Sequence, residues 1–540
     1  MKNESMFEQL KNNWQKDILS GFIVSLIALP LSLGIAGACG FPPIMGVLTA
    51  IIGGIIVSFF MGCELTIKGP AAGLIVIVYG AVDEFAQSAG GDMTTGWKMA
   101  LGVIVIAGII QVILGMLKVS SVVEFFPLSA VHGMLAAIGI IIISKQIHFA
   151  DGYDPTLLKG KNPLELLKMI PESLSHFTPQ IALIGGTSLL ILFGMPLIKN
   201  RIVKMIPPAL VVLIVGVILG QFENLGGKEF ASLKPLVNPG ELFNKDFGIK
   251  VDFSGISGAT TMIFMKYLVL FVMIGSLESL LSSKAIDLLD PQHRKSNLNK
   301  DLTAVGIGNI VSGLFGGLPM ISEIARSSAN INNGGRTRWA NFFHGVFLLI
   351  FVALLVPFIK LVPVASLSAM LIFVGYRLAA PKEFIKTYKV GPEQLIVFIG
   401  TVIVTISTDL LIGIFSGILI EWLMHFILGV PFKDYFRPDL TVETKDNNLY
   451  KVTLKGSGLF SNYIFVHKRL VKIEEKKNIE FDVSAVRLLD HTFLEKLHHF
   501  ASDYERDGGK FTFTGMNHLN TISSHHLGAR LSTKSVEELL

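Results

Sequence analysis

The sequence predicts an all-α polytopic membrane protein of fourteen segments in two inverted units of seven, followed by a small C-terminal α/β module. Three observations predict it. Of 540 residues, 51% are hydrophobic and only 16% charged, where a soluble domain carries roughly 25% charge; the mean hydropathy is +0.60. Apolar stretches of spanning length recur from residue 18 to residue 428. Two apolar stretches, at matching places in the two halves, are broken by Gly, Pro and polar residues: 68–74 (Lys-Gly-Pro-Ala-Ala-Gly-Leu) and 318–335. Such backbone survives at membrane depth only where protein buries it or where it lines a cavity. A matched pair of interrupted segments is the sequence mark of a transporter's binding site.

A spanning helix needs about 20 mostly apolar residues. That ruler gives segments near 18–38, 42–62, 98–118, 122–144, 180–198, 205–221, 261–284, 302–317, 339–359 and 362–378, with shorter ones near 70–86 and 322–333 after the interruptions. Residues 393–428 form a block too long for one span, with Thr405, Ser407, Thr408 and Asp409 in its middle, and read as two short helices. Residues 1–17 form a polar cytoplasmic N-terminus without a cleavable signal pattern, so the first segment is expected to act as its own insertion signal.

Charge tests the count. With the N-terminus inside, Lys118, the Lys199/Arg201/Lys204 group, Lys284 to Lys300, Arg336/Arg338 and Arg377/Lys382 all fall on the cytoplasmic side, and loops 145–179 and 222–260 fall outside. This is the positive-inside asymmetry, and removing one segment from the first half would reverse it. Both termini are therefore expected in the cytoplasm, with the chain in the cell's inner (plasma) membrane. The halves also match: Met61-Gly62 precedes the first broken segment and Gly316-Gly317 the second, each after an apolar helix. Seven is odd, so a tandem repeat of seven must be inverted, with its site at the midplane.

The transmembrane domain is expected over 18–430 and a linker over 431–445. Residues 446–540 alternate strand-like runs (449–454, 479–483, 510–514) with helical patterns (Phe465 to Glu475, Thr492 to Tyr504), which reads as a cytoplasmic α/β domain.

Several function classes drop out. The net charge of +5 does not point to nucleic acid. No nucleophile–base group, metal cluster or phosphate loop is visible, so no catalytic residue, enzyme activity, metal or organic cofactor is expected. Cys39 and Cys63 lie in apolar segments and read as packing residues. Two charges do stand out. Arg326 lies inside the second broken helix, where a guanidinium needs a partner or an anionic ligand. Glu278 lies mid-helix in Ile274 to Leu280, where an intramembrane carboxylate either loads a proton or permanently partners Arg326 or Lys284.

Three stretches, Ala28-Leu29-Pro30-Leu31-Ser32-Leu33-Gly34 with Gly40-Phe41-Pro42-Pro43, Gly69-Pro70-Ala71-Ala72-Gly73-Leu74 and Glu323-Ile324-Ala325-Arg326-Ser327-Ser328, resemble the sulfate-permease (SulP, prestin-type) family of anion transporters. Phe481-Asp482-Val483-Ser484 and Leu488-Leu489-Asp490-His491-Thr492 resemble the STAS domain that follows the membrane part in that family. The resemblance implies a uracil-permease-like fold with core and gate domains, in which the third and tenth helices are half-helices facing each other across the anion. A helix N-terminus carries unpaired N–H groups and about half a positive charge. Here those ends fall at Ala71 and Ala72, and at Glu323, Ile324 and Ala325, with Pro70 suited to a first turn.

By the same resemblance, Arg326 matches the family's basic position. Glu278 stands where a sodium-coupled branch has an aspartate, with Ser282 at the hydroxyl one turn on; the longer Glu favours a proton over sodium as coupling ion. Leu31 and Ile35 replace a glutamine and an aromatic of animal members, which makes the pocket more apolar. Thr66 and Ser322 are candidate hydroxyls, and Glu323 either binds or merely favours the helix dipole. His491 stands where some STAS relatives carry a phosphorylatable serine, leaving Thr492 as the substitute. The expected function is secondary active transport of a small inorganic anion, bicarbonate or sulfate first, by an elevator-type movement and as a homodimer. A cytoplasmic protein partner is open for the STAS-like module. A dicarboxylate or nucleobase carrier of the same fold, or an anion channel or sensor, is the alternative.

Overall fold

The computed structural model describes residues 5–119, 125–158, 161–200, 203, 206–238, 248–292, 294–446, 448–474 and 476–533. Outside them lie Arg201 and Lys204 of one basic group, 122–124 of the fifth segment, 239–247 of the second outer loop, Glu475, and 534–540. The chain forms two compact units, Met1–Ser120 with Ile138–Leu378, and Ser121–Ala137 with Ala379–Leu540.

Helix α1 (Met6–Ala38) starts well before its apolar part, because Ser5 and Glu8 close a capping box at residues read as a tail. After it come α2 (Pro43–Ile55), strand β1 (Ile67–Pro70), a 3₁₀ turn (Ala72–Leu74), α3 (Ile75–Ser88), α4 (Met93–Met116) and α5 (Leu128–Ala150). Next is α6 (Pro163–Ser173), inside a stretch read as loop. Its start is legible in hindsight: Asn162 caps it, Pro163 sits in the first turn, and Glu165 returns the capping-box bond. Helices α7 (Pro179–Gly194), α8 (Pro208–Phe222) and α9 (Thr261–Leu270) follow. A π turn (Phe271–Gly275) carries α9 into α10 (Ser276–Leu289). Then come α11 (Leu298–Leu314), strand β2 (Met320–Glu323), α12 (Ile324–Asn332), α13 (Trp339–Ile359) and α14 (Val364–Leu378). Where α4 crosses α11, a Cβ on Gly108 would lie 2.8 Å from the Gly306 carbonyl, so small residues set that crossing.

In the second unit, α15 (Pro381–Val390) precedes α16 (Pro392–Ser407) and α17 (Leu410–Ile427). The predicted split falls at Thr408-Asp409, where the Asp409 carboxylate caps α17 by accepting from the Ile412 N–H. Strand β3 (Asp439–Asp446) begins within the stretch read as linker. The domain continues with β4 (Leu449–Gly458), α18 (Tyr463–Leu470), β5 (Asn478–Leu489), α19 (His491–Arg506), β6 (Lys510–Thr514), β7 (Leu519–Thr521) and β8 (Arg530–Ser532). The sheet runs β3-β4-β5-β8-β7, with β6 also on β5; β4, β5 and β6 are parallel and the other pairings antiparallel. Val452, Leu454, Ile479, Phe481, Val483, Phe493 and Leu497 form its core. This is the α/β module that the alternation predicts.

Each of the fourteen predicted segments has a helix or broken helix in its place. Among the described residues, seven helices are long and apolar enough to cross a membrane and four more are shorter apolar helices. Cys39 and Cys63 are buried and free.

Candidate anion site between two broken helices

Strands β1 and β2 pair antiparallel, Ile67 with Glu323, Lys68 with Ser322, Gly69 with Ile321 and Pro70 with Met320. Equivalent segments of two inverted units must run in opposite directions, so antiparallel pairing is what the inversion requires. A two-stranded ribbon leaves outward N–H groups that lipid cannot satisfy, and side chains from neighbouring helices take them. Ser327 Oγ accepts from Ile67 N–H at 2.8 Å, Asn341 Oδ1 from Lys68 at 3.1 Å, Asn309 Oδ1 from Met320 at 2.6 Å and Ser279 Oγ from Ser322 at 3.1 Å.

The ribbon delivers two helix starts. The third segment begins at Ala71 and Ala72, and α12 begins at Ile324 with extended Glu323 as its cap residue. Arg326, in the first turn of α12, is 1% exposed, and none of its three guanidinium nitrogens has a hydrogen-bond partner among the described residues. Its Nη1 lies against Gly69 of β1. The Glu323 Oε1 accepts from the Ala72 N–H at 3.2 Å, tying one helix start to the other. Glu278 reaches the same place from α10. Its carboxylate lies against Gly73, at the spot a Cβ would fill, and Oε2 has no partner among the described residues. The structure therefore gathers Ala71, Ala72, Gly73, Glu278, Glu323 and Arg326 around the two N-termini. Ala71 and Glu323 are buried, while Ile324 is exposed.

The Thr66 hydroxyl donates to the Cys63 carbonyl at 3.2 Å. The Ser322 hydroxyl donates to Asp301 Oδ2 at 3.0 Å. Ser282 lies one turn after Glu278 and is buried; Ile35 is buried and Leu31 half-buried on α1. Glu278 has no ion pair with Arg326 or Lys284 among the described residues. Asn330 ties α12 inward: its Nδ2 donates to Leu65 O at 3.0 Å and its Oδ1 accepts from Ser20 at 2.7 Å.

A second buried charge, not legible in the sequence, lies on β1. Lys68 Nζ contacts both Asp301 oxygens at 2.8 Å and Ser322 Oγ at 2.5 Å, and Ser283 Oγ donates to Asp301 Oδ2 at 2.8 Å; all are fully buried. Lys68 alternates with Gly69 along β1, so its side chain leaves the opposite face from the one Arg326 covers. One cation is held in a hydrogen-bonded ion pair, and the other has no hydrogen-bond partner among the described residues. The π turn immediately before α10 is not legible in the sequence either; such turns recur at functional sites and re-aim the helix that continues from them, here the one carrying Glu278.

In the C-terminal domain, Asp490 caps α19, accepting from the Phe493 N–H at 2.6 Å. The Thr492 hydroxyl is fully buried and accepts from the Leu128 N–H at 3.1 Å, so it is not an exposed phosphate acceptor.

The profile of the Sulfate permease family matches residues 14–401. The chain is 27% identical over 418 residues to the putative sulfate transporter YvdB of Bacillus subtilis, covering 76% of this chain and 73% of the relative. It is 27% identical over 414 residues to the bicarbonate transporter BicA of a Picosynechococcus strain, covering 76% and 69%. Among solved structures, the transmembrane domain of a cyanobacterial BicA superposes with a TM-score of 0.64 at 24% identity, over 75% of this chain and 97% of that one. The inward-facing murine solute carrier 26 family member A9 superposes at 0.65 with 15% identity, over 92% and 85%. With the family profile matching well over half of its length, the chain belongs to the sulfate permease family.

Proposed function

We propose that the chain is a secondary active transporter of a small inorganic anion, bicarbonate or sulfate, held between the N-termini of the third and tenth segments. The observation that carries this reading is Arg326: a guanidinium 1% exposed, beside two helix starts, with no partner for any of its nitrogens among the described residues. A buried guanidinium without hydrogen-bond partners is costly, and an anion from solution would supply them. The relatives' names, sulfate and bicarbonate transporters, support that substrate class.

Glu278 is the proposed coupling group, and a proton its coupling ion. Its carboxylate lies against Gly73 at the start of the third segment, where it competes with a bound anion for the same N–H groups and the same dipole. Protonation removes that competition, which ties anion entry to proton entry. Sodium would need several further oxygen ligands, and Ser282 is the one hydroxyl a turn away. Movement is proposed to be of elevator type, in a homodimer of the inner (plasma) membrane with both termini cytoplasmic. The STAS-like domain is proposed to modulate transport or to dock a cytoplasmic protein.

Uptake of labelled bicarbonate, sulfate, chloride and fumarate into proteoliposomes, with proton and sodium gradients imposed separately, tests the proposal. Saturable, trans-stimulated uptake of bicarbonate or sulfate driven by the proton gradient is expected. Single-channel currents without saturation would make it a channel, and fumarate uptake alone a dicarboxylate carrier.

A further inference from the structure

We propose that Glu421, His425 and Asp490 form a binding site for one divalent cation of the zinc class, which pins the end of the last membrane helix to the C-terminal domain. Glu421 and His425 are one turn apart on α17, so both side chains leave the same face. Asp490 arrives from the junction of β5 and α19. All three belong to the second unit and are nearly solvent-free, at 1%, 2% and 1% exposure.

The spacing favours a metal over a direct hydrogen bond. His425 Nε2 lies 3.5 Å from Glu421 Oε1 and 3.5 Å from Asp490 Oδ2, and one donor atom from each residue falls within 4.8 Å of the others. A good N–H···O bond is about 2.7–3.2 Å long. The edge of a tetrahedron with metal–ligand bonds of about 2.0–2.1 Å is roughly 3.4 Å, which matches both measured separations.

Charge and orientation point the same way. Among the described residues no lysine or arginine pairs with Glu421 or Asp490. Glu421 Oε2 has no hydrogen-bond partner among them, and neither does either oxygen of Glu393, a buried neighbour on α16. Buried carboxylates of this number need a cation. The two carboxylate ligands are also held from behind, as metal ligands are, while His425 Nδ1 has no hydrogen-bond partner among the described residues. Gln394 Nε2 donates to Glu421 Oε1 at 3.1 Å while its own Oε1 accepts from Ser129 at 2.6 Å. The Phe460 and Phe493 N–H groups fix the two Asp490 oxygens at 2.6 Å each. One imidazole with two carboxylates suits zinc, whereas calcium takes six or more oxygens. Three protein ligands leave a fourth position for water or Glu393.

The test uses the full chain in detergent, stripped with chelator, incubated with zinc and desalted. Elemental analysis is expected to find one zinc per chain, and the thermal midpoint to rise with added zinc. Glu421→Gln and His425→Gln are expected to lose both effects while remaining monodisperse. A His498→Ala/His499→Ala/His525→Ala/His526→Ala variant is expected to keep them, which separates this site from the domain's outer histidines. Zinc retained equally by His425→Gln would overturn the proposal. So would the absence of zinc with an unmoved midpoint, leaving a histidinium that bridges two carboxylates without metal. Zinc-edge X-ray absorption on the wild-type chain needs no variant. One imidazole among oxygen donors supports the site, and two or more imidazoles reject it.

Discussion

Arg326 and Lys68 show how two buried cations in one ribbon come to differ. Lys68 meets Asp301 at 2.8 Å within a set of serine hydroxyls, so its charge is spent on structure. Arg326 meets no hydrogen-bond acceptor among the described residues, which is why it is the proposed anion ligand. Arg326→Ala is expected to keep the fold and to weaken anion binding by about 1.5–3 kcal/mol, roughly 10- to 150-fold, the range for a hydrogen bond to a charged group. Calorimetric titration checks it, and wild-type affinity in the variant would retire the assignment. Lys68→Met leaves Asp301 buried without its counter-ion. It is expected to cost about 3–5 kcal/mol, with much of that recovered in Lys68→Met/Asp301→Leu. Thermal unfolding of the two variants in detergent separates this structural pair from the proposed role of Arg326.

Glu278 belongs to the same scale. An amide cannot gain or lose charge, so Glu278→Gln is expected to abolish the response of uptake to an imposed proton gradient while leaving anion exchange partly intact. Uptake that keeps its wild-type pH profile in this variant would make Glu278 a structural neighbour of Gly73 and nothing more.

At the scale of elements, the fourteen segments were legible because hydropathy, charge and the Gly/Pro punctuation of 68–74 and 318–335 are local properties of the chain. The half-helix starts were legible for the same reason. Partners distant in sequence were not. Nothing near Lys68 announces Asp301, and the bases around Lys284 to Lys300 read as a cytoplasmic loop although Asp301 is fully buried. The partners of hydroxyls were not legible either, since a side chain's identity does not say which way its hydroxyl turns: Thr66 donates to the Cys63 carbonyl and Ser322 to Asp301. In the C-terminal sheet, Asp482 of β5 holds Lys451 of β4 at 2.7 Å and accepts from the Ser484 N–H at 2.9 Å. Burial alone would raise the Asp482 carboxyl, but those bonds outweigh it and hold it below the ordinary carboxylate value. Its contribution is therefore present above the unfolded value of about 3.9 and lost as pH falls through the lower folded one. Asp482→Asn is expected to lower the thermal midpoint near neutral pH and to converge with wild type in acid, a loss that unfolding curves across about pH 3–7 would reveal.

For the molecule as a whole, the question is how much of the site depends on the C-terminal domain. Arg326, Glu278, Glu323 and both helix starts lie within the first unit, and the ribbon's outward N–H groups described above are satisfied by side chains of that unit alone. Binding should therefore survive removal of the domain. Stability should not survive unchanged. Leu459 and Leu488 bury Val430 and Tyr435 together, Trp422 of α17 stacks on Phe460 with centroids 6.4 Å apart, and the Leu128 N–H rests on Thr492. Cutting after Phe436, before β3, uncovers these apolar side chains at about 1.5–3 kcal/mol for each one that was fully buried. A chain of residues 1–436 is expected to unfold at a lower temperature than the full chain, yet to gain the same stabilisation from bicarbonate or sulfate, because that gain depends only on ligand concentration and affinity. Thermal midpoints of both chains across an anion series separate the two effects. A truncated chain that stays monodisperse but gains nothing from any anion that stabilises the full chain would mean that the C-terminal domain organises the site from a distance.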